Sequence, residues 1–315
     1  MEQIKKYFIV AGFGLCAQGA LAHVDFDISM QTAQYKDISS NSYNVMMLDF
    51  FRLLYNKHSP DVVRSRFDLK IPKIIHQIWL GSKLPAEYEQ YRKSWLDNHP
   101  NWIFIFWTDN PINYNQGTVL SDFNELTDFL NHPQSSIKHI VIDVKNVNFD
   151  NKCFYDEAIN YGEKSDILKW EVVYRFGGTY VDTDFECLKP LDDLHYAYDF
   201  YTGIQPLDTH MVQLGAALYA AHPGHRVMKA CVEKIKDNQD VKQIVVKTGP
   251  IHFTRMFFAF ADKQGSIDVA LPASFLYPCG YDQRGMPAII WQRPESYAIH
   301  HWAGSWLKPE GFVKH

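Results

Sequence analysis

Residues 165–184 read SDILKWEVVYRFGGTYVDTD, and the prediction of the fold class starts from them. Its first part and the residues before it have the apolar spacing of a helix, which we predict over Asp156–Phe176. Gly177-Gly178 ends that helix and permits a tight reversal of the chain. A short strand, Thr179–Val181, follows and leads directly into Asp182-Thr183-Asp184.

Strands and helices alternate on either side of this stretch. Such alternation predicts an α/β architecture with a mainly parallel sheet. Ligands of such sheets bind at the carboxyl ends of the strands, where Asp109, Asp182 and Asp184 fall. The other elements that we predict are strands at Ile74–Leu80, Trp102–Trp107 and His139–Val144, and helices at Tyr43–Tyr55 and Glu87–Asn98.

Asp182-Thr183-Asp184 places two carboxylates one residue apart, just beyond a strand. Such a pair can share a hard divalent cation such as Mg²⁺ or Mn²⁺, which neutralises the charge on a leaving diphosphate. The motif alone is weak, because Asp25 and Asp27 form a second D-x-D without any supporting context. The competing interpretation of either motif is a solvated turn.

Asp166 and Lys169 lie three residues apart on the predicted helix and therefore on one face of it. One interpretation is a surface ion pair of little energetic weight. The other is that both side chains point over the strand ends into the same site as Asp182-Thr183-Asp184.

Composition limits the classes of function. The 315 residues are 46% hydrophobic, enough for the core of one large α/β domain or of two domains. With 31 Lys and Arg against 36 Asp and Glu, the chain lacks the basic excess of a general nucleic-acid binder. Five cysteines without a C-x-x-C pair are too few for a disulfide scaffold, although Cys153, Cys187, Cys231 and Cys279 could pair in an oxidising compartment.

Residues 1–22 have the pattern of a secretory signal peptide. Lys5 and Lys6 precede an uncharged, mostly apolar stretch that ends in Ala20-Leu21-Ala22, an A-x-A cleavage pattern. An uncleaved membrane anchor and an ordinary buried helix are the alternatives. Cleavage predicts a secreted or lumenal protein and an anchor predicts membrane association through the N-terminus, whereas a segment that is no signal predicts a cytoplasmic one.

Taken together, residues 165–184 resemble the sugar-nucleotide-binding signature of family 32 glycosyltransferases. This family includes initiating mannosyltransferases and is more distantly similar to clostridial glucosylating toxins. Further resemblances lie in IPKIIHQIW at 71–79, Trp107-Thr108-Asp109, Thr248-Gly249-Pro250 and HHWAGSW at 300–306.

The resemblance spans residues 71–306 and implies a GT-A fold, in which helices flank a Rossmann-like, mainly parallel sheet. Residues 23–70 would form a helical N-terminal extension, and residues 307–315 a C-terminal tail.

The resemblance also implies a catalytic set of Asp166, Asp182 and Asp184. Asp184 would bind the metal, and Asp182 would contact the ribose and approach the metal. His300 would be the third metal ligand, with His301 as the alternative. Imidazole suits Mn²⁺ better than Mg²⁺, so Mn²⁺ is the expected ion and Mg²⁺ the second choice.

The donor would be bound by residues of the signature and of the other stretches that carry the resemblance. Asp166 would hold sugar hydroxyls, with Lys169 at a position that is usually Arg in the family. Trp79 would stack on the base unless it is simply buried core. The implied donor-binding set is Trp79, Asp166, Lys169, Tyr180, Asp182, Gly249, Ser305 and Trp306.

The function that the resemblance implies is metal-dependent transfer of a hexose, with retained configuration, from a UDP- or GDP-sugar to a hydroxyl of a glycan, lipid or protein. Two alternatives stay open. The Lys at position 169 would suit a nucleotide-sugar or carbohydrate-binding protein that has lost catalysis. Paired carboxylates would also suit a glycoside hydrolase.

Overall fold

The structure is a computed structural model. The segment 1–22, predicted as a signal peptide or anchor, lies outside the described residues. In the part of the chain that is described, no helix has both the length and the apolar character needed to cross a membrane. The described residues are 24–31, 37–60, 68–114, 117–132, 137–208, 210–308 and 311–313.

Ten strands and eleven α-helices are assigned within the described residues. The strands are β1 (Ile74–Trp79), β2 (Ile103–Thr108), β3 (Thr118–Leu120), β4 (His139–Asp143), β5 (Gly178–Val181), β6 (Phe185–Cys187), β7 (Phe200–Ile204), β8 (Leu214–Ala221), β9 (Asp268–Leu271) and β10 (Ala298–His300). The helices are α1 (Phe26–Met30), α2 (Ser42–His58), α3 (Ala86–Asn98), α4 (Phe123–Asn131), α5 (Lys152–Glu157), α6 (Tyr161–Phe176), α7 (Asp192–Ala197), α8 (Arg226–Glu233), α9 (Ile244–Lys247), α10 (Pro250–Phe260) and α11 (Ala273–Leu276).

Eight strands form one sheet in the order β3-β4-β2-β1-β5-β8-β7-β9. Its strand pairs are parallel except β5–β8 and β7–β8. Helices pack against the sheet, with α6 on β1 and β5, α10 on β8 and α2 on β9. This confirms the predicted α/β class with a mainly parallel sheet flanked by helices.

The prediction of one helix over Asp156–Phe176 is wrong at its start. The chain leaves α5 after Glu157 and begins α6 only at Tyr161. Asn160 causes the break, because its side-chain oxygen accepts the N–H groups of Gly162 and Glu163 at 2.8 and 3.3 Å. Asn is among the best N-cap residues and a mediocre interior one, so it starts a new helix here.

The predicted tight reversal at Gly177-Gly178 is confirmed. Both glycines have positive φ, +64° and +90°. A Cβ atom on Gly178 would lie 2.6 Å from the carbonyl oxygen of Ile74 in β1. The reversal therefore needs glycine both for its backbone conformation and for the close approach of β5 to β1.

We expect Gly178→Ala to lower the free energy of unfolding by about 3 kcal/mol, because a left-handed conformation and a backbone clash add together. Urea denaturation would measure the loss. Gly224→Ala is the matched control: Gly224 also has positive φ, +74°, but a Cβ there meets no atom within 4 Å. We expect that variant to lose only about 1 kcal/mol, and equal losses would contradict the steric account.

The helical extension that precedes β1 packs into the main core. The ring of Phe50 in α2 lies 4.8 Å from that of Phe258, and Phe51 lies 5.9 Å from Phe257, both in α10. The D-x-D of this region has a structural role in a helix, which differs from the solvated turn of its alternative interpretation. Asp25 caps α1 by accepting the N–H of Ile28, and Asp27 pairs with Arg52.

The four cysteines that could have paired in an oxidising compartment are free in the structure. Cys153 is exposed, whereas Cys187, Cys231 and Cys279 are buried. Burial in the core raises the pKa of the Cys231 thiol far above its usual range. The three buried thiols contribute packing rather than disulfide bonds.

Candidate active site

A small second sheet brings the C-terminal part of the chain to the end of β5. β10 pairs antiparallel with β6, and His300 lies opposite Phe185 in this pairing. The ring of His300 stacks on that of Phe185 at 4.7 Å with only 9° between their planes. The pairing therefore fixes the imidazole beside Asp184, the residue that precedes β6.

Asp182, Asp184 and His300 form one cluster. Each offers a ligand atom, and these atoms lie within 4.8 Å of one another. His300 Nε2 is 3.3 Å from Asp184 Oδ2. The same oxygen accepts the N–H of Ala303 at 2.9 Å, and the main-chain oxygen of Asp184 accepts the N–H of His301 at 3.0 Å. The C-terminal segment is thus tied to Asp184 by both side chain and main chain.

The cluster suits a divalent cation. Two carboxylates and one imidazole are a donor set for Mn²⁺, and less readily for Mg²⁺. His300 Nδ1 is buried and has no hydrogen-bond partner among the described residues. A buried polar nitrogen without a hydrogen-bond partner costs free energy, and such a cost is unexpected where a side chain serves only to pack. The residues therefore fit the expected ion.

Burial and charge separate the two carboxyls of the cluster. Burial raises the pKa of Asp182 above its usual range, and the negative charge of Asp184 adds to this, although Lys169 opposes it. Burial also acts to raise the pKa of Asp184, but His300 and the N–H of Ala303 outweigh it and hold that pKa below the usual range. Asp184 is accordingly the more firmly ionised carboxylate of the pair.

Tyr180 lies behind Asp182 and orients it. Its ring is 1% exposed, and its hydroxyl donates to Asp182 Oδ1 at 2.6 Å. Ser165 on α6 is 3.3 Å from the same hydroxyl. The structure thus joins Tyr180, predicted for donor binding, to the carboxylate pair through a buried hydrogen bond.

Asp166 and Lys169 form a buried ion pair, so the surface interpretation is wrong. Lys169 Nζ lies 2.5 Å from Asp166 Oδ1, and the two side chains are only 5% and 13% exposed. The ammonium also lies 4.9 Å above the ring of Trp170 and 5.3 Å from that of Tyr180. The pair lies on the helix that leads into β5, beside the carboxylate cluster.

The chain at the start of α10 closes over Asp166. Thr248 donates its hydroxyl to Asp166 Oδ2 at 3.1 Å, and a Cβ on Gly249 would lie 3.3 Å from that oxygen. Thr248 also accepts the indole N–H of Trp170 through its main-chain oxygen at 2.8 Å. Gly249 was predicted to bind the donor, whereas Thr248 was not. The only signal for Thr248 in the sequence is its position directly before Gly249-Pro250.

A second ion pair, partly buried and also missed from sequence, holds the same junction. Lys247 Nζ lies 2.8 Å from Glu163 Oε1, with the carboxylate nearly inaccessible. Glu163 precedes Asp166 by three residues on α6, and Lys247 immediately precedes Thr248. This pair fastens the end of α9 to α6, one turn from Asp166.

Trp79, Ser305 and Trp306 are not part of the cluster. Trp79 ends β1, next to β5 in the sheet, and is half-buried with its ring edge-to-face with Tyr88 at 5.4 Å. Ser305 and Trp306 are half-buried in a 3₁₀ turn. The main-chain oxygen of Trp306 accepts from the Asn160 side chain at 2.9 Å. This turn thus contacts the residue that caps the N-terminus of α6.

His301, the alternative ligand, is held elsewhere. Its Nε2 lies 3.0 Å from Glu186 Oε2, and its ring stacks on Tyr91 at 4.1 Å. Because β10 alternates its side chains, the chain can present only one of the two neighbouring histidines to Asp184. Of the two, His300 is the one that lies beside Asp184.

Comparison with known proteins gives both a family match and individual relatives. Residues 85–201 match the family described as "Glycosyltransferase sugar-binding region containing DXD motif". Inositol phosphoceramide mannosyltransferase 3 of Schizosaccharomyces pombe is 28% identical over 135 residues, 42% of this chain and 30% of that protein. Inositol phosphoceramide mannosyltransferase 1 of the same yeast is 24% identical over 246 residues, 75% of this chain and 62% of that protein.

The chain spans less than two thirds of the length of these curated relatives. Among solved structures, PaToxG glycosyltransferase aligns with a TM-score of 0.47 and 17% sequence identity, over 71% of this chain and 80% of that one.

Proposed function

We propose that the chain transfers a hexose from a nucleotide-diphosphate sugar to an acceptor hydroxyl, because residues 85–201 match the glycosyltransferase sugar-binding region that contains a DXD motif. The donor is a UDP- or GDP-sugar, and the anomeric configuration is retained. The convergence of Asp182, Asp184 and His300 at the end of β5 carries this proposal. These residues come from two distant parts of the chain and meet where the sheet presents its ligands.

Asp184 and His300 would hold a divalent cation, Mn²⁺ or secondarily Mg²⁺, with Asp182 approaching it while contacting the ribose. When bound, such an ion neutralises the negative charge of a departing nucleoside diphosphate. Tyr180 supports this arrangement by fixing the orientation of Asp182 through its hydroxyl. The chain's own contribution is thus a rigid, largely desolvated set of ligands.

Asp166 would accept hydrogen bonds from hydroxyls of the donor sugar. Lys169 and Thr248 each occupy one of its carboxylate oxygens, which leaves the carboxylate fixed in one orientation. Gly249 leaves the room beside it that a side chain would fill. Trp79 would stack on the base, and Ser305 and Trp306 would contact the diphosphate from the C-terminal segment.

The retained configuration is explained by attack on the same face of the sugar from which the diphosphate leaves. The acceptor oxygen bonds to the anomeric carbon as the bond to the diphosphate breaks. The acceptor proton passes to an oxygen of the leaving phosphate. Asp166 would keep the sugar in place during this exchange.

We propose a lipid as the acceptor. The two relatives named above are inositol phosphoceramide mannosyltransferases, and the inositol ring of such a lipid carries hydroxyls. A secreted or lumenal place of action is consistent with the signal-peptide pattern of residues 1–22.

A donor screen tests the function. UDP-glucose, UDP-N-acetylglucosamine, UDP-galactose and GDP-mannose are each incubated with the protein, with and without Mn²⁺, and nucleoside diphosphate release is measured. We expect one donor to be consumed only with the metal present. Tight donor binding without release would favour the binding-protein alternative, and release of free sugar from an oligosaccharide without nucleotide would favour a glycoside hydrolase.

Thr248→Val tests the support of Asp166. Val has nearly the same shape but removes the hydroxyl that donates to the carboxylate, and we expect kcat/KM for the donor to fall about tenfold. Thr248→Ser restores a hydroxyl and is expected to stay close to wild type. Equal losses in both variants would mean that packing of the buried side chain, and not its hydrogen bond, matters.

A further inference from the structure

We propose that the loop of residues 284–293 docks the protein on an anionic membrane surface by inserting its apolar tip, residues 286–290. This tip reads MPAII, five consecutive apolar residues that are all exposed. Ile289 is 87% exposed, Ile290 46% and Met286 42%. Neighbouring apolar side chains that all face solvent mark an interaction site far more often than single exposed ones do.

The base of the loop is fixed while the tip stands out. Trp291 is only 6% exposed and packs with Cys279 and Ile299. Its indole N–H donates to the main-chain oxygen of Met286 at 3.3 Å. The tip therefore stands on a packed base that keeps its apolar side chains facing solvent.

About half of the main-chain N–H groups of the tip are already hydrogen-bonded to neighbouring residues. The N–H of Met286 bonds to the carbonyl of Gln283, that of Ile290 to Pro287, and that of Gln292 to Ala288. Pro287 has no N–H to satisfy. Since unpaired main-chain groups oppose entry into lipid, these bonds lower the cost of placing the tip in the interface, where the N–H groups of Ala288 and Ile289 can still reach water or headgroups.

The charge of the loop favours an anionic membrane over another partner. Residues 284–293 contain Arg284 and Arg293 and no acidic residue, in a chain whose net charge is −5. Asp282 and Glu295 lie outside it, one beyond each end. Basic residues beside an apolar insertion are attracted to anionic headgroups. A stable protein interface needs roughly 800 Å² from each partner, more than so small a convex tip offers.

The loop lies beside the proposed active site. Arg284 donates to the main-chain oxygen of Trp302 at 3.2 Å, and Tyr281 lies 6.4 Å from the Trp302 ring. Trp302 lies two residues after His300, against whose ring it packs at 4.1 Å. Docking through the tip would hold the site near the bilayer surface, an inference that rests on the proposed lipid acceptor.

Vesicle co-sedimentation tests the docking without any donor present. The full chain is mixed with phosphatidylcholine vesicles that contain or lack phosphatidylserine. We expect binding to the phosphatidylserine vesicles and a loss of about tenfold in the partition coefficient for Ile289→Asp. Leu53→Asp on α2 is the control, since Leu53 is 67% exposed and lies far along the chain from the loop. We expect it to bind as wild type does.

Failure of the docking and failure of the function can be told apart. Nucleoside diphosphate release from the donor, measured without vesicles, should be the same in Ile289→Asp and wild type. Vesicle binding without any donor turnover would uphold the docking and overturn the function. No binding by wild type, or equal binding by Ile289→Asp, would overturn the docking. So would a dimer in light scattering that Ile289→Asp dissolves, because the tip would then bind a second copy.

Discussion

Asp184→Asn is expected to lower the metal-dependent release of nucleoside diphosphate by about a thousandfold, which corresponds to several kcal/mol of lost charge stabilisation. Asp184 is the more firmly ionised carboxylate of the cluster and lies 3.3 Å from His300. Asn keeps an oxygen that can accept the N–H of Ala303, so the C-terminal segment should remain in place. The variant therefore removes charge with little change in shape.

Glu186→Gln is the matched control for this prediction. Glu186 lies two residues further along, is also paired with a histidine, and undergoes the same change from carboxylate to amide. Because it lies outside the cluster, we expect donor turnover to change by less than about twofold. Comparable losses in Glu186→Gln and Asp184→Asn would mean that the general acidity of this region matters and would contradict the assigned ligand.

Lys169→Met is expected to lower the free energy of unfolding by about 3 kcal/mol. The Lys169 ammonium lies 2.5 Å from Asp166 in a nearly inaccessible position, and it also opposes the raised pKa of Asp182. Removing it leaves Asp166 buried without a countercharge, which is the costly way to break such a pair. Lys169→Arg keeps the charge, and we expect it to retain most of the stability and donor turnover.

Thermal and urea denaturation would measure the loss, with Lys93→Met as the control. Lys93 pairs with Asp97 on α3, but both side chains are more than half exposed, at 70% and 60%. We expect that variant to change stability by less than about 0.5 kcal/mol. If both variants behave alike, the Lys169 pair is no more important than a surface one. Recovery of stability in the double variant Asp166→Asn with Lys169→Met would show that the loss comes from the unpaired Asp166 carboxylate.

The parts of the fold that could be predicted are those with a clear signal in the local sequence. The strands at the centre of the sheet are short apolar runs between turn residues. Gly177-Gly178 is itself a turn signal and directly predicts the reversal of the chain. The break before α6 was missed because helical spacing continues through Asn160, and only its capping geometry shows that it begins a helix. Strands β7, β8 and β9 were not anticipated.

The meeting of Asp184 and His300 could not be deduced from spacing. It depends on the pairing of β6 with β10, two three-residue strands from distant parts of the chain. Strands so short carry almost no periodic signal, and His300 became a candidate only through resemblance to a family. Thr248 and Lys247 were missed for the same reason, since their partners lie on α6, across the fold.

Titration of Mn²⁺ in the presence of the released nucleoside diphosphate, followed by the spectroscopic signal of the free ion, tests the metal site most directly. We expect wild type to bind one ion, His300→Ala to bind it at least about tenfold more weakly, and His301→Ala to match wild type. Unchanged affinity in His300→Ala, or a loss confined to His301→Ala, would contradict the assignment of Asp182, Asp184 and His300 as the metal site.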